Sequence, residues 1–312
     1  MPGVLCRFVH IAAGLLLVSA CAPQVRSSST STQERQVLRH GGRERSYILR
    51  VPRSIATGSA TAPLVIVLHG GGGNGQNAEA MTGFTAKANS EGFVVAYPEG
   101  TARGRIRMLT WNAGHCCGYA VEAGIDDVGY IAALIDRLIA EYPIDRRRVY
   151  VTGMSNGAMM AHLLGRKLPD RIAAIAPVVG GLFGDEDTSR ANVSAIMING
   201  LLDASVPYEG GTTGGRFGGA WDGTPLKPVS YQAEYWASVN GCGPNPAVAE
   251  TSAYVHHRYT CPGSVGVELY AVKDHGHAWP GGQRGSRLGE RPSAAMNATD
   301  VIWAFFAAHP KG

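Results

Sequence analysis

Three features of the sequence predict an α/β fold, with a mostly parallel sheet flanked by helices on both faces. Short apolar runs of strand length alternate with helix-length stretches along the chain. Several of those runs are continuous, as in Pro63-Leu64-Val65-Ile66-Val67-Leu68, the pattern of parallel strands covered on both sides. One run, Val149-Tyr150-Val151-Thr152, enters Gly153-Met154-Ser155-Asn156-Gly157 and then an apolar helix-forming stretch. A strand therefore turns sharply into a helix around Ser155.

In chain order, Ser46 to Val51 reads as an edge strand. Pro63 to Leu68 reads as a buried one, followed by His69 and the glycine run from Gly70 to Gly73. Glu79 to Asn89 is helical, Phe93 to Ala96 is a buried strand, and Glu99 to Ile125 is a long loop holding Trp111, Asn112 and a Cys116-Cys117 pair. Asp126 to Tyr142 is an amphipathic helix with Ile131, Leu134, Ile135, Leu138 and Ile139 on one stripe. After the Ser155 unit come strands at Ile172 to Val178 and Ala195 to Asn199, a glycine-rich loop at Gly210 to Gly219, and a helix at Tyr231 to Val239. Ala253 to Thr260 and Val267 to Val272 are further strands, and Thr299 to Ala308 is a closing helix. No internal repeat or second-domain linker is evident, so residues 39–312 read as one catalytic-size domain.

The start of the chain has a different character. Arg7 supplies a short positive region, Ile11 to Val18 an apolar core, and Val18-Ser19-Ala20-Cys21 a lipoprotein-type cleavage site. Residues 1–20 are read as a signal peptide, Cys21 as the lipidated first residue, and residues 21–38 as a Ser/Thr-rich tether. The expected location is extracytoplasmic, either lipid-anchored to the cell envelope or secreted, with the membrane touched only through the anchor. The remaining Cys116, Cys117, Cys242 and Cys261 allow three pairings in such a compartment. The modest loop between Cys242 and Cys261 favours that disulfide. The net charge of +4 is too small to argue for nucleic acid as a partner.

The chemistry follows from Ser155. Glycines at 153 and 157 let backbone pack on backbone, leaving the serine at a strand tip above a helix N-terminus that favours developing negative charge. A serine hydroxyl is a weak nucleophile and needs a general base oriented by a carboxylate. In this architecture the partners follow as Ser, Asp, His, from loops at the C-terminal ends of later strands. Asp203 follows the Ala195 to Asn199 strand, and Val267 to Val272 leads into a loop carrying His275 and His277. Asp126 and Asp127 open a helix, where capping suits them, and Asp185 and Asp187 follow no strong strand. His256 and His257 lie within a strand, His69 is placed to shape the glycine loop, and His162 rides on the helix after Ser155. Two oxyanion donors are expected, the backbone N–H groups of Asn156 and Gly71, with Gly70 in reserve. No Lys-Ser/Thr closes the glycine run and no Cys/His spacing suits zinc, so neither a phosphate cradle nor a metal is expected, and no cofactor is required.

Several motifs then coincide: Leu68-His69-Gly70-Gly71, Trp111-Asn112-Ala113-Gly114 with Cys116-Cys117-Gly118, Asp126-Asp127-Val128-Gly129-Tyr130, Gly153-Met154-Ser155-Asn156-Gly157, Val206-Pro207-Tyr208 and His277-Ala278-Trp279-Pro280-Gly281. In this order they resemble the esterase/polyhydroxybutyrate-depolymerase family of α/β-hydrolases, which also holds feruloyl and acetylxylan esterases. The resemblance spans roughly residues 40–310. It implies an α/β-hydrolase fold and a triad of Ser155, Asp203 and His277, choosing the second histidine of its loop. Two departures bear on the pocket: Asn199-Gly200-Leu201-Leu202 stands where the family often has His-Gly-Thr-x, and Asp274 and His275 stand where glycines are common. The implied activity is hydrolysis of carboxylic esters, polymeric ones included, with Trp111, Tyr208, Trp221 and Trp279 as candidate pocket residues. The alternatives are a non-catalytic surface binding module, or a lipase or peptidase on the same fold. Binding alone needs no nucleophile, and neither a long apolar lid nor a gating domain is evident.

Overall fold

The computed structural model describes residues 35–58, 60–104, 108–212 and 221–312. The expected signal peptide, Cys21 and the part of the expected tether up to residue 34 lie outside the described residues, as does most of the expected glycine-rich loop. One sheet runs in the order β1 (Arg35–His40), β2 (Arg43–Arg50), β4 (Val94–Pro98), β3 (Ala62–Leu68), β5 (Ile144–Met154), β6 (Ala174–Val178), β7 (Ser194–Gly200), β10 (Val267–Val272), β9 (Tyr254–Tyr259) and β8 (Ala247–Glu250). The six central strands from β4 to β10 are parallel, and the two strands at each margin pair antiparallel.

The pleat explains why the central strands are apolar throughout. Successive side chains point to opposite faces, and both faces are covered. Leu64, Ile66 and Leu68 of β3 and Val149 and Val151 of β5 join a core with helices α5 (Asp127–Glu141), α6 (Asn156–Lys167) and α7 (Val229–Asn240). Their neighbours Val65, Val67 and Tyr150 pack on the other face against α2 (Gly75–Thr82), α3 (Phe84–Glu91) and α8 (Ala298–Ala308). The short helices α1 (Arg53–Ala56) and α4 (Gly118–Glu122) complete the described set. Among the described residues, no helix is long and apolar enough to cross a membrane.

Three expectations are corrected here. Arg35 to Leu38, expected in the tether, belong to β1, where Tyr47 Oη bonds Gln36 and Arg137 bonds the Val37 carbonyl. Because β1 covers it, the strand expected at the edge lies one position in. The single helix expected from Glu79 to Asn89 is two, broken at Gly83, whose φ of 70° caps α2 in the left-handed conformation.

Strand register aligns the functional loops. Leu68 stands beside Gly153, Met154 beside Val178, and Val272 beside Gly200. The loops after β3, β5, β7 and β10 therefore leave the same end of the sheet.

Candidate active site

The turn at Ser155 is built by its flanking glycines. A Cβ at Gly153 would lie 2.6 Å from the Gly157 carbonyl oxygen, and one at Gly157 would lie 2.5 Å from that of His69. With those atoms absent, β5 and α6 close on β3. Ser155 then adopts φ 56° and ψ −122°, a conformation costing about 1–3 kcal/mol and common where a side chain must be aimed. Its N–H is tied to the Val178 carbonyl at 3.0 Å.

Asp203 and His277 reach Ser155 from the β7 and β10 loops, which are themselves joined. Leu202 N–H donates to the His275 carbonyl at 2.9 Å, and a Cβ at Gly200 would strike that same carbonyl. Asp203 is buried, and its Oδ1 accepts the N–H groups of Ser205 and Val206 at 2.8 Å each. Its Oδ2 lies 2.8 Å from His277 Nδ1, and His277 Nε2 lies 2.8 Å from Ser155 Oγ. A carboxylate only accepts, so Nδ1 carries the proton and Nε2 accepts from the serine hydroxyl. This arrangement can withdraw the Oγ proton as the oxygen attacks a carbonyl.

The other histidines are otherwise engaged. His275, the neighbour of His277, is fully buried; its Nε2 donates to the Ala278 carbonyl, its Nδ1 accepts from Ser293 N–H, and burial lowers its pKa. His69 is held neutral by burial, with a pKa of about 4. Its ring bonds the Gly70 carbonyl and Gly100 N–H, so it braces the glycine loop as expected. His162 is buried between Gln232 and Trp236, with its pKa also lowered to about 4. His256 pairs with Glu268 across β9 and β10.

The two expected oxyanion donors come together. Gly71 and Asn156 both line the cleft at Ser155, and a Cβ at Gly71 would lie 3.8 Å from that of Asn156. Neither N–H donates to another described residue. The Asn156 side chain has a structural role that sequence reasoning missed. Its amide accepts from Trp111 N–H at 2.7 Å and donates to the Trp111 carbonyl at 3.0 Å. It thereby fixes the loop that runs through the Cys116–Cys117 disulfide. The second disulfide is Cys242–Cys261, as expected.

The cleft around Ser155 and His277 measures about 670 Å³. Of the expected pocket aromatics, Trp111 and Trp279 do not line it: both are fully buried, with their indole N–H groups bonded to the His69 carbonyl and to Thr299 Oγ1. Tyr208 packs half-buried against the core and also lies outside the lining. Trp221 does line it, beside the segment of Cys116 and Cys117, to which it is bridged, and with Met108 and Tyr119. Its loop is clamped by His115, which bonds Asp222 at 2.6 Å and Asp185 at 2.9 Å. Burial alone would lower the His115 pKa, but hydrogen bonds and charge from the two carboxylates outweigh it and raise the pKa above its ordinary value. Bonds from Thr224 N–H and His115 hold Asp222 down to about 2.

Glu290 also lines the cleft, although nothing in the sequence marks it. Its Oε2 accepts the backbone N–H of His277 at 2.8 Å. It follows His277 by thirteen positions in a polar loop and belongs to no motif.

Comparison with known proteins bears on the family and the fold. The chain is 29% identical over 287 residues to a putative esterase, NocK, of Nocardia uniformis subsp. tsuyamanensis, covering 88% of this chain and 80% of that protein. It is 28% identical to feruloyl esterase B of Piromyces equi and to poly(3-hydroxyalkanoate) depolymerase C of Paucimonas lemoignei, covering 77% and 71% of this chain. The matches span only 44% and 56% of those two proteins. The acetyl xylan esterase structure from Aspergillus awamori superposes with a TM-score of 0.59 over 88% of this chain and 99% of that one, at 17% identity, a likeness of fold alone. The family model for esterase PHB depolymerase matches residues 45–207, just over half of the chain. The chain thus belongs to the esterase PHB depolymerase family of carboxylic ester hydrolases.

Proposed function

We propose that this protein is an exported serine esterase working through an acyl-enzyme. The observation that carries the reading is the continuous relay from Asp203 through His277 to Ser155, each link 2.8 Å. Ser155 Oγ attacks the ester carbonyl while His277 Nε2 takes its proton. The oxyanion is held by the N–H groups of Asn156 and Gly71. His277 then protonates the departing alkoxide, and a water activated by the same imidazole releases the acyl group. Asp203, buried and fully hydrogen-bonded, keeps the imidazole in the tautomer that accepts from the serine.

The substrates we favour are feruloyl or acetyl esters of plant polysaccharide, or oligomers of the polyhydroxybutyrate type. The open cleft and its apolar side formed by Met108, Tyr119 and Trp221 suit acyl groups of these sizes. We further propose that the chain is lipid-anchored at Cys21, and its two disulfides support an oxidising compartment. One experiment tests both parts: intact cells producing the chain, and their membrane and soluble fractions, are assayed with acetyl, butyryl, feruloyl and hydroxybutyryl-oligomer esters. Turnover by intact cells, retained in the membrane fraction, is expected. No turnover of any ester by folded protein would overturn the esterase reading, and activity confined to the soluble fraction after lysis would overturn the anchor.

A further inference from the structure

The cleft has two unlike sides. One is built from the loop between β4 and α5 and from Trp221, with Arg103 and Glu122 paired at 2.8 Å on its rim. The other is built from the N-terminus of α2 and the loop of residues 283–290. These two pieces are tied where Asn77 donates to the Gly285 carbonyl and Gln283 N–H donates to the Met81 carbonyl. Asn74, Asn77, Ser286 and Glu290 line this second side. His277 belongs to it as well, through the bond between its N–H and Glu290.

Glu290 is a built part of this side rather than a passing surface charge. A Cβ at Gly276 would lie 1.7 Å from Glu290 Oε2, so the carboxylate occupies the space that a side chain at 276 would fill. Among the described residues no cation lies within ion-pair distance of it, and Arg284 is turned to the Gly289 carbonyl. In a relay of this kind the imidazole that takes the serine proton returns it to the departing oxygen, so the leaving alcohol must sit beside His277. We propose that Glu290 sets the charge preference for that alcohol. Resting on the esterase reading above, the proposal is that neutral, hydroxyl-rich or cationic alcohols are accepted. An alcohol carrying a free carboxylate close to its ester oxygen is disfavoured. For a hydroxyacid oligomer this has a direct consequence. Only at the last ester bond does the free carboxylate of the leaving fragment lie in the same unit as the ester oxygen, so hydrolysis falls on internal bonds first.

The test compares three butyrate esters that share an acyl group: ethyl butyrate (neutral), butyrylcholine (cationic) and 3-butyryloxybutanoate (anionic). In Glu290→Gln, which keeps an acceptor for His277 N–H, the anionic-to-neutral ratio of kcat/KM should rise about five- to tenfold and the cationic-to-neutral ratio should fall by a similar factor. Because Glu290 is exposed, salt screens it. Raising ionic strength from about 0.02 to 0.5 M should therefore lift the anionic-to-neutral ratio of the unsubstituted enzyme severalfold, with no variant needed. A purely structural Glu290 would alter all three esters alike. Ratios unmoved by either the substitution or salt overturn the proposal. No turnover of any of the three by the unsubstituted enzyme would instead overturn the esterase reading on which it rests.

Discussion

Replacing His277 with alanine is expected to lower kcat for a simple ester by roughly 10⁴- to 10⁶-fold, with KM much less affected. No other described histidine lies where it could substitute. His275 is buried with both ring nitrogens bonded, and His69 is braced against its own loop. Asp203→Asn should cost roughly 10⁴-fold despite its near-identical shape. An amide facing Nδ1 favours the tautomer whose Nε2 carries the proton, and that nitrogen can no longer accept from Ser155. The fold should survive both changes, so stopped assays should be read alongside circular dichroism spectra. Activity within tenfold of the unsubstituted enzyme in either variant would remove the relay as the basis of turnover.

The second large effect is on stability. In an ordinary helix, glycine to alanine gains about 1 kcal/mol. Gly157 is helical but lies against β3, and a Cβ there would sit 2.5 Å from the His69 carbonyl oxygen and 2.6 Å from that of Leu68. Neither acceptor is a flexible side chain, so α6 must move off the sheet. Overpacking of this kind costs about 3 kcal/mol or more, which outweighs the helical gain. Gly157→Ala should lower Tm by roughly 6–12 °C and displace Ser155 enough to abolish turnover. Gly83→Ala is the informative comparison. Its φ of 70° strains an alanine by about 1–2 kcal/mol, but nothing lies within 4 Å of the new Cβ. It should therefore show a smaller fall in Tm and retain activity. Equal Tm losses in the two variants would contradict the steric account.

The contrast between these glycines also marks what was legible in the sequence. Gly153 and Gly157 could be read in advance because they flank a serine between a strand and a helix, a context that demands close backbone approach. Gly83 could not, because a glycine inside a helical stretch is tolerated often enough to hide a break. The central strands were legible for a similar reason: burial on both faces makes them apolar at every position. β1 was not, because Arg35, Gln36, Arg39 and His40 leave a half-exposed strand that resembles the polar segment before it. β8 is exposed along its length, and its four residues, Ala247 to Glu250, are too few to show a strand period.

Within the site, loops that leave strand ends could be placed by order, which brings Asp203 and the loop of His275 and His277 to Ser155, while the choice of His277 rested on the family resemblance. Side-chain direction could not be read. Trp111 and Trp279 stand in motifs beside the site, yet their indole N–H groups find internal acceptors and their rings turn into the core. The amide of Asn156 was likewise assigned only its backbone role, although its side chain holds the Trp111 loop. Glu290 and the His115 clamp depend on contacts across 13, 70 and 107 residues, separations that no local pattern encodes.

The most direct measurement is to treat the protein with a fluorophosphonate ester, digest it and locate the adduct by mass spectrometry. One equivalent on Ser155, loss of hydrolysis in step with labelling, and no labelling after His277→Ala on the same timescale are expected. Labelling at another residue, or full inactivation with Ser155 unmodified, would contradict it.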